Sequence, residues 1–273
     1  MAALIIFIFG LVLGSFLNVC IWRIPGGESI VAPPSRCPRC ARPIRPWDNL
    51  PVLSYLLLRG KCRHCGERIS PLYPAVELLT AFLALTCYFA FGFSPAFAKW
   101  TAFCALIVVL IFTDLRERIL PDVVNFTGLA LGLLASLFVT VPGGAALWIS
   151  RRVVTYHPPT TLLSFIEALL GAACGGGLLW LFAEGYFRLR HREGMGLGDV
   201  KMMLMAGSFL GWQDALLTIL LGSLMGTVVG LLFIAARRRG RDYEWPFGAF
   251  LGISAIAVVF WGQPVLRWYV SLL

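Results

Sequence analysis

The sequence predicts an all-α polytopic membrane protein of about eight transmembrane helices, with a zinc-ribbon-like four-cysteine loop on its cytoplasmic side. Three observations lead there. Hydrophobic residues make up 59% of the 273-residue chain and charged residues only 14%, with a mean hydropathy of +0.81; a soluble domain is ~25% charged. Apolar blocks follow one another along the chain, and most of the charge is confined to the segments between them. Two Cys-x-x-Cys pairs lie in one of those segments, 23–74. Such a composition excludes a disordered chain and a water-soluble enzyme.

The apolar blocks cover residues 3–22, 75–97, 99–113, 121–141, 161–185, 199–212, 213–236 and 246–271. They are continuous runs, not the ten-residue alternation of a strand barrel, so each is expected to be a helix. At ~20 residues per crossing the chain has room for about eight, although the sixth block is short. The first block has neither a basic stretch before it nor an Ala-x-Ala cleavage site, and is expected to be a retained helix.

Charge sets the orientation. An outside N-terminus places 23–74, 114–120, 186–201 and 237–245 inside, and these hold 19 of the 23 Lys and Arg residues. That asymmetry is the positive-inside pattern, and it explains the net charge of +9 without nucleic acid. Both termini are then outside. Arg151-Arg152 sits against the trend, in a Gly- and Pro-rich outside connection over 142–160. Small residues recur at helical spacing: Gly10 and Gly14, Gly171 and Gly175, then Gly222, Gly226 and Gly230. In lipid such ridges let helix backbones approach closely, a simpler reading than a glycine-lined pore.

The 23–74 loop carries Cys37-Pro-Arg-Cys40 and, 21 residues later, Cys62-Arg-His-Cys65. Two knuckles at this separation suit a tetrahedral four-thiolate zinc site. The alternatives are two disulfides, disfavoured in a cytoplasmic loop, or unrelated thiols. Four thiolates leave no open position for water, so the zinc is expected to be structural. Nine basic residues in a ribbon raise the question of nucleic acid, but few aromatics accompany them to stack bases. Cys20, Cys87, Cys104 and Cys174 lie in apolar blocks and read as core residues.

Carboxylates in apolar helices are costly and generally have a partner or a task. Glu77 stands one turn into the second block; Glu167 and Glu184 stand in the fifth, where structural pairing is the better reading. Asp114 closes the third block, and Asp199 opens the sixth behind Gly196 and Gly198. Both fall at the cytoplasmic ends of their helices. Asp199 could simply favour a helix start through the dipole. Two facing carboxylates, however, share one proton. The ionised member can take a proton from water while the protonated one polarises a peptide carbonyl.

The segment Gly196-Leu-Gly198-Asp199 resembles the G-x-G-D signature of intramembrane aspartyl proteases. The longer Gly194-Met-Gly-Leu-Gly-Asp-Val-Lys201 is similar to the form carried by bacterial type IV prepilin peptidases. So are Asp114 followed by Pro121-Asp122, the opening Gly14-Ser-Phe-Leu-Asn18-Val-Cys-Ile-Trp-Arg23-Ile-Pro25, and Tyr73-Pro74 followed by Glu77, with the knuckles between. The resemblance spans essentially the whole chain. It implies a bifunctional, multi-pass enzyme of the bacterial inner membrane with its active site facing the cytoplasm. Such enzymes remove the leader of prepilins and type II secretion pseudopilins after a glycine. They then N-methylate the new terminal residue with S-adenosylmethionine. By resemblance Asp114 and Asp199 are the catalytic pair, supported by Gly196, Gly198 and Lys201. Gly14, Asn18, Arg23 and Glu77 are candidates for the methyl-donor site. Residues 1–97 carry the methyltransferase-associated part, and 98–273 the protease. Asp122 matches a family position other than the catalytic one.

Three departures stand out. Pro246-Phe247-Gly248-Ala249 replaces an expected Pro-Phe-Gly-Pro, Thr113 precedes the first aspartate where an apolar residue is commoner, and the 142–160 connection is long. Other readings stay open at this level. They are a presenilin-like G-x-G-D protease, which would not need the cysteine loop; a protease without methyltransferase; and a transporter or scaffold using the carboxylates as relays or ion-pair partners.

Overall fold

A computed structural model describes residues 1–142, 144–145, 159–191, 195–237 and 246–272. Among these the chain is helical and contains no strand beyond two isolated bridges. The helices are α1 (Ala2–Arg23), a short α2 (Leu53–Leu57), α3 (Leu72–Phe91), α4 (Pro95–Glu117), α5 (Asp122–Ala135), α6 (Thr160–Arg190), α7 (Leu197–Leu210), α8 (Trp212–Arg237) and α9 (Phe247–Val270). Arg151-Arg152 and Gly194 lie outside the described residues.

Each apolar block forms a helix, but eight crossings is approximate. Among the described residues six helices (α1, α3, α4, α6, α8 and α9) are long and apolar enough to span a membrane. The fourth and sixth blocks give α5 and α7, of 14 residues each. At ~1.5 Å per residue a helix of that length reaches ~21 Å, short of a hydrocarbon core of ~30 Å.

Proline and glycine set the boundaries. Pro95 begins α4, while Pro121, Pro159 and Pro246 stand immediately before α5, α6 and α9. A proline there has a helix-compatible φ and lacks an N–H that would have no acceptor anyway. Gly92, at φ +62°, ends α3, so the second apolar block is interrupted before residue 97. Gly211, at φ +82°, is the single residue between α7 and α8, a conformation that favours glycine.

The chain forms two compact units, Met1–Val109 and Leu110–Leu273. In the first, α1 lies against α3 in backbone contact. A Cβ on Gly10 would stand 2.5 Å from Ala81 Cα, and one on Gly14 2.6 Å from Glu77 Cα. The contact is continued by Phe7 edge-on to Phe82 and by Trp22 stacked on Tyr73, with centroids 5.7 Å apart. In the second unit α6 and α7 touch at Gly171 and Gly207, where a Cβ on either would fall onto the other's carbonyl oxygen. Gly222 faces Leu251 and Gly226 faces Phe250, bringing α8 onto α9. The glycine ridges are packing surfaces.

Replacing Gly14 with valine should therefore separate α1 from α3. The expected cost is about 1–3 kcal/mol, the range for overpacking a well-filled contact. It is read as a lowered melting temperature in detergent, while the equally glycine-poor exchange Gly177→Ala, at a position with open space around it, should change little.

Candidate functional site

The first candidate site is the four-cysteine cluster. The sulfurs of Cys37, Cys40, Cys62 and Cys65 all lie within 4.8 Å of one another, and Cys37 Sγ is 3.8 Å from Cys65 Sγ. Tetrahedral bonds of ~2.3 Å to zinc would separate the sulfurs by about 3.8 Å. The two knuckles are built alike. Ala41 N–H donates to Cys37 O and Gly66 N–H to Cys62 O, each at 2.9 Å. Cys37 N–H donates to Arg42 O and Cys62 N–H to Glu67 O, at 3.0 and 2.8 Å. The residue after each knuckle has positive φ, Ala41 at +54° and Gly66 at +70°. The backbone N–H groups of Cys65 and His64 hold the Cys62 thiol down to about 7, while burial and the neighbouring cysteines push the Cys65 thiol up to about 11. Arg63, inside the second knuckle, is tied to Asp48 Oδ1 at 2.6 Å, and that bond holds the Asp48 carboxyl below its ordinary range.

A cavity of about 690 Å³ lies in the same unit, with Asn18, Trp22, Arg23, Glu28, Tyr73 and Glu77 in its lining. Asn18 is buried; its Nδ2 donates to Tyr73 O at 3.0 Å, while its Oδ1 has no hydrogen-bond partner among the described residues. The Glu77 carboxylate accepts the Val52 N–H at 2.8 Å. Arg23 donates to Ser29 O at 2.9 Å and to Pro33 O at 2.8 Å, anchoring the start of the loop. Asn18, Arg23 and Glu77 thus share one cavity. Gly14 does not line it and sits in the α1–α3 contact.

The second candidate site is in Leu110–Leu273. Helix α4 continues to Glu117, so Asp114 lies one turn before its end, and Asp199 is the third residue of α7 behind Gly196. Both are buried, 6% and 8% exposed. They meet at the first turn of α9. A Cβ on Gly248 would stand 3.0 Å from Asp114 Oδ2 and 3.1 Å from Asp199 Oδ1, so the two oxygens are no further apart than those distances together. The Ala249 N–H donates to Asp114 Oδ2 at 2.8 Å. Gly198 packs on Leu120, where a Cβ would come within 3.1 Å. Gly196 has open space beside it, with Asp199 Oδ2 at 4.0 Å. Thr113, the polar departure, is buried and satisfied by its own helix, its hydroxyl donating to Leu110 O at 3.1 Å.

Lys201 points elsewhere. Its Nζ is 2.8 Å from both carboxylate oxygens of Asp122, linking α7 to the start of α5. Glu184 pairs with Arg188 one turn on, at 2.6 Å. Sequence reasoning passed over Gly248 and Ala249 as site residues, because their string was read only as a departure. It also missed Val52, whose single link to Glu77 is a backbone N–H with no side-chain signature.

These features define a multi-pass helical membrane protein with a buried aspartate pair at helix ends and a loop that gathers four cysteine sulfurs. The bacterial peptidase A24 N-terminal domain family matches residues 8–91, and the type IV leader peptidase family matches residues 101–231. The chain is 34% identical over 294 residues to a prepilin leader peptidase/N-methyltransferase of Aeromonas salmonicida, covering 98% of this chain and 93% of that protein. A protein of the same description from Pseudomonas aeruginosa is 34% identical over 290 residues, covering 96% and 91%. One from Myxococcus xanthus is 38% identical over 237 residues, covering 87% and 64%. The chain belongs to the type IV leader peptidase family. No solved structure matches it.

Removing the Glu77 carboxylate should release the loop locally. In Glu77→Ala the partly buried Val52 N–H loses its acceptor, a loss of about 1–3 kcal/mol. Hydrogen exchange of the Val52 amide should accelerate at least tenfold, with amides of α6 unchanged.

Proposed function

We propose that this enzyme cleaves the leader peptide of type IV prepilins and type II secretion pseudopilins after a glycine, at the cytoplasmic face of the bacterial inner membrane. It then N-methylates the exposed terminal residue. The observation that carries the cleavage reading is the meeting of Asp114 and Asp199 at one point against Gly248. Two carboxylates this close, shielded from bulk water, favour holding one proton between them. The ionised member accepts a proton from water, the water oxygen bonds to the scissile carbonyl carbon, and the protonated member hydrogen-bonds the carbonyl oxygen. Collapse of the tetrahedral species breaks the C–N bond, with a proton returned to the leaving amine.

Residues 1–97 are assigned the methyl transfer and 98–273 the hydrolysis. S-adenosylmethionine would supply an electrophilic methyl group on a sulfonium. The 690 Å³ cavity suits a ligand of that size. Asn18 Oδ1 offers a buried acceptor, Glu77 an anionic group for a cation, and Trp22 and Tyr73 aromatic faces. Arg23 keeps the mouth of the cavity in shape through its two carbonyl contacts. Gly14 acts through packing. The four cysteines are assigned a structural zinc, which folds the loop that forms the far wall of this cavity. Gly196 leaves room for an extended substrate beside Asp199, Gly198 seats α7 on Leu120, and Lys201 fixes α7 through Asp122.

Asp114→Asn and Asp199→Asn should each lower leader removal by at least ~10²–10⁴-fold, the contribution of general acid–base catalysis. The double variant should be scarcely worse than either single one, because the two act as a unit. Each should still methylate a pre-cleaved substrate. Gel-shift of a co-expressed prepilin at matched expression measures the first, and the mass of one added methyl group the second; near-full cleavage by Asp199→Asn would sink the aspartyl reading.

Elemental analysis of the purified protein should give about one zinc per chain, as a single four-thiolate site requires. Cys62→Ser should lose that metal and damage methylation at least as much as cleavage, since loop folding and metal binding are coupled. Full activity in both reactions from a metal-free preparation would overturn the structural assignment.

A further inference from the structure

Outside the described chemistry the structure holds the Asp214–Gln263 pair of α8 and α9, bonded at 3.0 Å, the buried Lys99 ammonium over the Trp100 ring, and the first turn of α9. The third touches the reacting groups directly.

Asp114 and Asp199 are chemically alike, and a shared proton must reside more on one than on the other. Their surroundings differ. Asp114 Oδ2 receives the Ala249 N–H at 2.8 Å. That N–H is the third of α9, one of the first four in a helix, which have no acceptor within it; it carries the positive end of the helix dipole. Among the described residues no comparable donor reaches the Asp199 carboxylate. Asp199 faces Asp114 itself. The other groups around Asp114 are Arg118, one turn further on, and the apolar Leu120, which faces Gly248 as Asp114 does. Helix α9 contributes no acidic side chain in its first turn.

Resting on the aspartyl reading, we infer that Ala249 is a positioning residue: its N–H holds Asp114 as the ionised member of the pair, the general base, and leaves the proton to Asp199. The water O–H bond then breaks toward Asp114 Oδ2, and its electron pair forms the new C–O bond at the scissile carbonyl. The Asp199 proton hydrogen-bonds the carbonyl oxygen and takes up the charge that develops there. Gly248 keeps the space between the two oxygens clear, because a methyl group there would stand within about 3 Å of both carboxylates. The departure from Pro-Phe-Gly-Pro thereby acquires a consequence. A proline at position 249 has no N–H, so this chain has a donor on Asp114 that the expected motif would lack.

The test removes the N–H and keeps the rest. In Ala249→Pro no intrahelical hydrogen bond is lost, since this amide has none. Proline does restrict the residue before it, so a second variant replaces Ala249 with lactic acid, exchanging the amide for an ester of the same shape. Ala249→Gly retains the N–H and serves as the side-chain control. Methylation of a pre-cleaved substrate reports whether each preparation is folded.

Without the donor the ionised form of Asp114 loses a charge-assisted bond. The acid limb of kcat for leader removal should move to higher pH by about one to two units, with KM for the prepilin little changed. Ala249→Gly should keep the acid limb at its native position, whatever its effect on the rate. If both amide-deleted forms show the native acid limb while Asp114→Asn is inactive, the inference is wrong and the aspartyl reading stands. If Asp114→Asn cleaves normally, the reading itself fails.

Discussion

Backbone-to-backbone contact between helices is the constraint on which this structure depends. In lipid there is little hydrophobic drive to bring helices together, so association rests on close packing and on polar groups that find partners. Gly10 and Gly14 let α1 lie against α3. That contact sets the distance between Asn18 and Tyr73, and so the width of the cavity beside them. Gly171 and Gly207 seat α7 against α6, and the first turn of α7 carries Asp199. Gly248 does the same for α9, at the point where a side chain would press on both carboxylates. The site geometry follows from where side chains are missing.

The polar loop is stabilised by different means. Over residues 24–71 the described helices are a 3₁₀ turn, Pro46–Asn49, and α2. A segment with so little regular structure buries too little apolar surface to pay for its own ordering. Its order comes from the two knuckles, the Asp48–Arg63 pair, and the carbonyls of Ser29 and Pro33 held by Arg23. Glu77 adds a contact from the apolar helix outward, through the N–H of Val52. A metal on the four sulfurs would turn these local ties into one folded unit, because the unfolded loop has no preformed site.

Carboxylates in the apolar part show how burial discriminates among chemically identical groups. Asp122 remains at a helix start and pairs with Lys201. Glu184 pairs within its own helix. Asp114 and Asp199 instead face one another, with a backbone N–H on one of them. A pair of like charges in a poorly solvated place cannot be satisfied by ionising both. Such a contact obliges the surrounding helices to be held accurately.

Much of this was legible in the sequence. Continuous apolar runs required helices, because unpaired backbone groups cannot face lipid. The Cys-x-x-Cys spacing pointed to the four sulfurs that the structure brings together, since two short knuckles are enough to aim them. The aspartates were visible because a carboxylate in an apolar run is rare and costly. Tertiary structure alone decided three things. Helix ends inside apolar runs, at Gly92 and Ala135, depended on local backbone conformation that hydropathy averages away. The place of Gly14 in packing, with Asn18 and Glu77 at a cavity, depended on which face of α1 meets α3. The bond from Ala249 to Asp114 joins residues 135 positions apart through a backbone N–H, a group that every residue except proline carries. Side-chain chemistry leaves a mark in sequence, whereas the direction of a main-chain donor is set only once the helices have packed.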